Sequence, residues 1–137
     1  MTFSVEFVIH ERPVSWKRAR QRGKQFFVDP ETRAWKELVA RSFLEKVGPG
    51  FLPLETPIEL VLAFRMPMPA SWSKRRQGEM DGQPHTQKPD IDNLAKAVMD
   101  ALNGVAWVDD GQVFTVGSIK GWGPAGAVLV EIREVMP

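Results

Sequence analysis

The chain has 137 residues, of which 43% are hydrophobic, with 18 lysines and arginines against 17 aspartates and glutamates. This composition predicts one globular domain over residues 1–137 rather than a disordered chain. The absence of cysteine excludes disulfides, thiolate zinc sites and cysteine nucleophiles. No apolar run reaches membrane-spanning length and the N-terminus lacks a signal-peptide pattern, so we expect a cytoplasmic protein without a membrane partner.

The formal net charge of +1 hides a segregated distribution of charge. Between residues 12 and 24 the chain has basic side chains and no acidic ones, and a second basic group at residues 74–76 is followed by Lys88. We predict that these positions form a positive surface for a polyanion, although a solvated charged face is the alternative interpretation. The candidate DNA-binding residues are Lys17, Arg18, Arg20, Arg22, Lys24, Lys74, Arg75, Arg76 and Lys88.

Apolar periodicity and turn residues predict the secondary structure. In chain order the predicted elements are a strand at 2–10, a basic loop at 14–23, a short strand at 25–28, a helix at 31–47, a central strand at 57–66, a long polar loop at 67–89, a helix ending at 102, a short extended piece at 105–108, a turn at 109–111, and strands at 112–120 and 127–135. We expect the last two strands to form a hairpin. The order β-α-β-α-β-β predicts an α+β domain, with a mixed sheet of about four strands and two helices on one face.

Two acidic pairs flank the second helix: Asp90 with Asp92, and Asp109 with Asp110. Residues two apart share a face only in extended chain. Pro89 favours extended geometry, so Asp90 and Asp92 converge if the helix begins at residue 93 with Asp92 as its N-cap. Such a cluster repels itself unless a cation lies in it, and Mg²⁺ prefers carboxylate oxygens. The simpler interpretation is a helix cap followed by an ordinary turn.

The acidic pairs belong to a longer pattern. It runs Lys-Pro-Asp-Ile-Asp-Asn-Leu-x-Lys-x-x-x-Asp-Ala-Leu-Asn-Gly over residues 88–104, followed by Trp-Val-Asp-Asp-Gly-Gln-Val over residues 107–113. This pattern resembles the RusA family of Holliday-junction resolvases, which are small bacterial and phage endonucleases. Residues 88–113 carry the specific part of the resemblance, and a weaker likeness covers most of the chain. The resemblance implies a RusA-like fold and a homodimer that cuts four-way DNA junctions with Mg²⁺ or Mn²⁺.

The resemblance also implies roles for individual residues. Asp90, Asp92 and Asp110 match the essential carboxylates and would hold the metal, with Asp109 as a supporting candidate. Lys96 matches the functional lysine and would stabilise negative charge or position the scissile phosphate. The catalytic set implied is therefore Asp90, Asp92, Lys96 and Asp110.

Three further side chains have two interpretations. Asp100 also occupies a motif position, but it lies one helical turn beyond Lys96, which favours an ion pair between them on the helix surface. Trp16 and Trp72 lie beside the basic groups and can either stack on bases exposed at a junction or pack partly into the core.

The resulting hypothesis is a Mg²⁺-dependent endonuclease that resolves Holliday junctions by paired symmetric nicks, in DNA recombination and repair. One alternative is a nuclease for flaps or other branched DNA in phage replication. The other is a non-catalytic DNA-binding protein that has kept the fold.

Overall fold

The computed structural model describes residues 2–136. In chain order its elements are β1 (Ser4–Ile9), β2 (Arg20–Arg22), β3 (Gln25–Phe27), α1 (Pro30–Val47), β4 (Ile58–Pro67), α2 (Lys74–Met80), α3 (Ile91–Leu102), β5 (Val113–Gly123) and β6 (Ala127–Glu134). Strands β1, β6, β4 and β5 form one sheet in that order, and it contains parallel and antiparallel pairs. The predicted α+β fold with a mixed four-stranded sheet is confirmed.

The core lies between the sheet and two helices. Helix α1 buries Trp35, Val39 and Phe43, and α3 buries an apolar face that begins at Leu94. Every second residue of β4 is buried, from Ile58 to Met66, because one face of the sheet meets these helices. None of the helices in the part described is long and apolar enough to cross a membrane.

The predicted hairpin between the last two strands is wrong. Strand β4 lies between β5 and β6, pairing parallel with β5 and antiparallel with β6. Strand β6 buries Val128, Val130 and Ile132 and takes an inner position, whereas β5 carries Thr115, Ser118 and Lys120 and takes the edge. Alternation of apolar residues marks a strand but does not name its neighbours, so the sequence pattern could not exclude this order.

The predicted loop over residues 67–89 contains helix α2. Ser73 caps this helix by accepting a hydrogen bond from the backbone N–H of Arg76 at 3.2 Å. Helix α2 buries no side chain, so it has no apolar periodicity from which it could be predicted. The predicted basic loop is also partly structured, because β2 and β3 pair as a short antiparallel hairpin whose residues are all exposed.

Candidate active site

An open cleft of about 980 Å³ lies beside the start of α3. Its walls come from residues 82–92, which lead into the helix, and from residues 118–121 of β5. Both Asp90 and Asp92 line this cleft, together with the basic side chains Lys88 and Lys120. The structure therefore brings the first predicted acidic pair into one cavity.

The helix begins at Ile91, two residues earlier than predicted, so the prediction that Asp92 is the N-cap is wrong. Asp90 is the N-cap residue, with extended backbone at φ −70° and ψ 144°, and Asp92 lies in the first helical turn. Pro89 restricts the residue before it but leaves Asp90 unrestrained, so the helix can start directly afterwards. The Lys88–Pro89 peptide bond is cis.

Lys88 forms an ion pair with Asp90. Its ammonium donates to the two carboxylate oxygens at 2.8 and 2.9 Å. This hydrogen bond and the charge of Lys88 hold the pKa of Asp90 below its usual value, and the same contact raises the pKa of Lys88. The Lys88 side chain is 85% exposed, so it covers the carboxylate without being locked in place.

We predict that Lys88→Met raises the pKa of Asp90. A carboxyl group with a depressed pKa stabilises the fold above its ordinary pKa and loses that contribution as the pH falls through the depressed value. Removing Lys88 should move this loss to higher pH, although Lys120 still lowers the pKa of Asp90. NMR titration of the Asp90 carboxyl carbon in metal-free protein measures the shift. An unchanged titration curve would contradict the pairing of Lys88 with Asp90.

Lys120 reaches the cleft from β5 and was not identified from the sequence. Its Nζ donates to the backbone carbonyls of Gln87 and Pro89, both at 2.7 Å. Desolvation by burial lowers the pKa of Lys120, and the negative charge of Asp90 acts in the opposite direction. The sequence carried no signal for this role, because the register that pairs Lys120 with the buried Phe64 depends on the strand order.

His85 lies beside this lysine and is nearly buried. Its ring centroid is 4.3 Å from that of Trp122, and its backbone N–H donates to the carbonyl of Lys120 at 3.0 Å. Burial and the charge of Lys120 lower the pKa of His85, which favours the neutral imidazole. It forms part of the cleft wall.

In the part of the chain that the structure describes, Lys96 forms no ion pair with Asp100. The predicted ion pair on the helix surface is therefore wrong. Its Nζ lies 3.5 Å from the centroid of the Trp16 ring, which is a cation–π contact. The backbone N–H of Trp16 donates to the carbonyl of Asn93 at 2.9 Å and fixes this loop against α3. Trp16 also packs partly against the core, so of its two interpretations the structure favours packing.

Trp72 is likewise a packing residue. Its ring centroid lies 4.8 Å from that of Trp122, and the Arg76 guanidinium lies 4.2 Å from the Trp72 ring. Trp72 is therefore held between a buried indole and a basic side chain of α2.

The second acidic pair lies in a turn before β5. The buried Trp107 donates from Nε1 to Oδ1 of Asp110 at 2.8 Å. Asp109 instead caps the short 3₁₀ turn of residues 110–112, accepting from the backbone N–H of Gly111 at 2.9 Å. A Cβ atom on Gly111 would lie 2.9 Å from the Asp109 Oδ2, so a larger residue there would displace the capping carboxylate. Asp109 thus serves the turn, and Asp110 has its carboxylate oriented by an indole.

Asp110 is at the opposite end of α3 from Asp90 and Asp92. Strands β4 and β5 are parallel, so α3 must run back against them between one strand and the next. A helix of 12 residues is about 18 Å long. Consistent with this separation, residues 2–136 contain no group of three or more acidic or histidine side chains placed to hold a metal ion. One chain brings Asp90 and Asp92 together and leaves Asp110 apart.

We predict that Trp107→Phe lowers the free energy of unfolding by about 2 kcal/mol, since it replaces a buried indole with a smaller ring and removes a hydrogen-bond donor. The indole also orients Asp110. The cleavage rate of the variant should therefore fall by more than the loss of folded protein explains. Thermal unfolding and single-turnover cleavage measure the two effects. Full activity in the folded variant would show that the orientation of Asp110 is unimportant.

Apart from Lys88, the predicted basic residues are exposed and occupy two regions outside the lining of the cleft. Arg20 and Arg22 lie on the exposed β2–β3 hairpin, and residues 74–76 form the first turn of α2. A groove of about 430 Å³ is lined by Arg12, Lys17 and Lys88 and joins the first basic region to the Asp90 ion pair. Two of the residues predicted to bind DNA already form ion pairs within the chain. Lys17 lies 3.8 Å from Asp29 and from Glu31, and Arg75 lies 3.1 Å from Glu79.

An α+β fold with two carboxylates and two lysines in an open cleft, and with further basic residues exposed elsewhere, suits a nuclease that binds a phosphate backbone. Residues 11–133 match the family described as endodeoxyribonuclease RusA, which confirms the resemblance. The chain belongs to the RusA endodeoxyribonuclease family. It is also 32% identical over 139 residues to a Bacillus subtilis (strain 168) protein named "Uncharacterized protein YqaN", with 96% of each chain covered.

Proposed function

We propose that the protein is a Mg²⁺-dependent endonuclease that cuts four-way DNA junctions by paired symmetric nicks, in DNA recombination and repair. The observation that carries this proposal is the cleft at the start of α3, where Asp90 and Asp92 lie together in a chain of the RusA family. Both residues offer carboxylate oxygens, which suit Mg²⁺ or Mn²⁺. The basic groove that ends at Lys88 supports a polyanionic substrate.

A divalent cation in such a cleft would neutralise phosphate charge and activate a bound water molecule. Asp90 and Asp92 would hold it through their oxygens. Lys88 would have to leave Asp90 first, and its exposure permits that movement towards a DNA phosphate. The ammonium group of Lys96, which lies over the Trp16 ring, would contact the scissile phosphate.

The position of Asp110 leads us to propose that the nuclease site is shared between two subunits. If Asp110 is a third ligand, it cannot come from the chain that supplies Asp90 and Asp92, since α3 separates them. In a two-fold symmetric homodimer, Asp110 of one subunit can reach the Asp90 and Asp92 of the other. Such a dimer has two equivalent sites, as a nearly two-fold symmetric junction requires.

Strand β5 is the surface that best fits such a dimer. It is an edge strand of the four-stranded sheet, and edge strands with apolar side chains favour association. Residues 120–122 bond to residues 82–85, so the part of this edge available to a partner is residues 113–119. Phe114, Val116 and Ile119 are exposed on it. Two β5 strands related by a two-fold axis run antiparallel, so the start of one, near Asp110, lies beside the end of the other, near Asp90.

The test is cleavage of a synthetic four-way junction, a flap and a linear duplex, each with and without Mg²⁺. We expect paired nicks at symmetric positions in the junction, dependent on the metal and faster than any cut in the other substrates. Faster cleavage of the flap would favour the alternative of a nuclease for other branched DNA. Tight junction binding without cleavage in Mg²⁺ or Mn²⁺ would favour a non-catalytic DNA-binding protein.

A further inference from the structure

We infer that Lys120 is a positioning residue for this site: its ammonium ties residues 86–89 to β5 and thereby sets where Asp90 stands in the cleft. The inference rests on the proposed function for the role of Asp90, and on the hydrogen bonds of this segment for the role of Lys120. Lys120 acts through the backbone and touches neither metal nor DNA.

The segment before α3 is attached to the sheet in two different ways. Residues 82–85 are held by backbone hydrogen bonds, including Trp122 N–H to the Gln83 carbonyl at 2.9 Å and His85 N–H to the Lys120 carbonyl at 3.0 Å. These backbone bonds stop at His85. Within residues 2–136, the next four residues have no hydrogen bond to the sheet other than the two that Lys120 donates, to Gln87 and Pro89.

The chemistry of the contact suits a fixed tie. An ammonium group has three donors, and here two are spent on carbonyls at 2.7 Å, the short distance typical of charge-assisted hydrogen bonds. The two carbonyls flank Lys88, and that of Pro89 directly precedes Asp90. Lys120 thus holds both members of the Lys88–Asp90 ion pair, and its charge also helps to keep Asp90 ionised.

The sign of the effect on metal binding separates positioning from simple electrostatics. Removing a positive charge near Asp90 should by itself tighten the binding of a cation. Losing the tie should weaken binding, because groups that orient metal ligands typically contribute about 10- to 100-fold in affinity. A net weakening in a variant that has lost the charge therefore identifies positioning.

The experiment compares Lys120→Met, Lys120→Arg and the control Lys46→Met, which removes a lysine from the exposed surface of α1. Mn²⁺ binding to the DNA-free protein is measured by electron paramagnetic resonance. We expect the Lys120→Met variant to bind Mn²⁺ about tenfold more weakly than wild type, and the arginine and control variants to stay within about threefold of it. Equal or tighter binding by Lys120→Met would overturn the inference.

A second measurement follows the segment itself. We expect amide order parameters at residues 86–88 and 90 to fall from about 0.85 to below about 0.6 in Lys120→Met, while those of α1 remain high. If Lys120→Met does not fold, Lys120→Gln keeps a neutral amide N–H donor group on a shorter side chain and should show a smaller loss of order. Unchanged order in the folded variant would overturn the inference.

DNA binding supplies the remaining outcome. If junction affinity in Ca²⁺ falls and its salt dependence becomes shallower in Lys120→Met, Lys120 contacts a phosphate and is not a positioning residue. The order parameters need neither DNA nor metal, so they test the tie even if the wild-type protein cuts no junction. Failure of the wild-type protein to cut a junction would contradict the proposed function and leave the inference about Lys120 intact.

Discussion

Asp90→Asn should reduce junction cleavage by about 10³-fold or more while leaving junction binding intact. Losing a metal ligand removes part of a transition-state stabilisation of several kcal/mol, and each 1.36 kcal/mol corresponds to a factor of ten in rate. Binding should persist, because replacing a carboxylate by an amide removes negative charge from the surface that meets a polyanion. Single-turnover cleavage in Mg²⁺ and a gel-shift assay in Ca²⁺ measure the two quantities.

Glu45→Gln is the matched control for this variant, since it also removes one negative charge, from the exposed surface of α1. It should cut and bind as the wild type does. An Asp90→Asn protein that still cuts would remove Asp90 from the catalytic set. An Asp90→Asn protein that neither cuts nor binds would leave loss of folding as the cause, which circular dichroism detects.

Mixing two inactive variants should restore cleavage if the site is shared between subunits. In a heterodimer of Asp90→Asn and Asp110→Asn, one site contains both substitutions. The other site is intact, because the Asp110→Asn subunit supplies Asp90 and the Asp90→Asn subunit supplies Asp110. Half of freely exchanged dimers are mixed and each has one working site, so we expect about a quarter of the wild-type nicking rate. The products should be single nicks rather than symmetric pairs.

A site built within one chain predicts a different result from the same mixture. Each subunit of the heterodimer then carries one defective site, so no combination is active. Mixing must follow unfolding and joint refolding, or prolonged incubation, so that subunits exchange. A mixture as inactive as its components, with heterodimers demonstrated by mass spectrometry, would refute the shared site. Sedimentation of the wild-type protein as a monomer in the presence of a junction would refute it too.

Much of the fold follows from local patterns in this sequence. The strand with alternating Val5, Phe7 and Ile9, the apolar β4 and the amphipathic α3 were predicted because their periodicities match the geometry of strand and helix. The family was recognised because the motif over residues 88–113 combines residue types with spacing. Helix α2 had no such signal, since it buries nothing.

The sequence by itself determined which carboxylates and lysines belong to the motif, because residue identity and spacing are local properties. Only the tertiary structure decided which of them meet. It placed Asp90 and Asp92 in one cleft and Asp110 at the other end of α3, since a crossover between parallel strands must send the helix back along its length. It also brought Lys120 to the Gln87 and Pro89 carbonyls across more than thirty residues, a contact that depends on strand order and that no local pattern encodes.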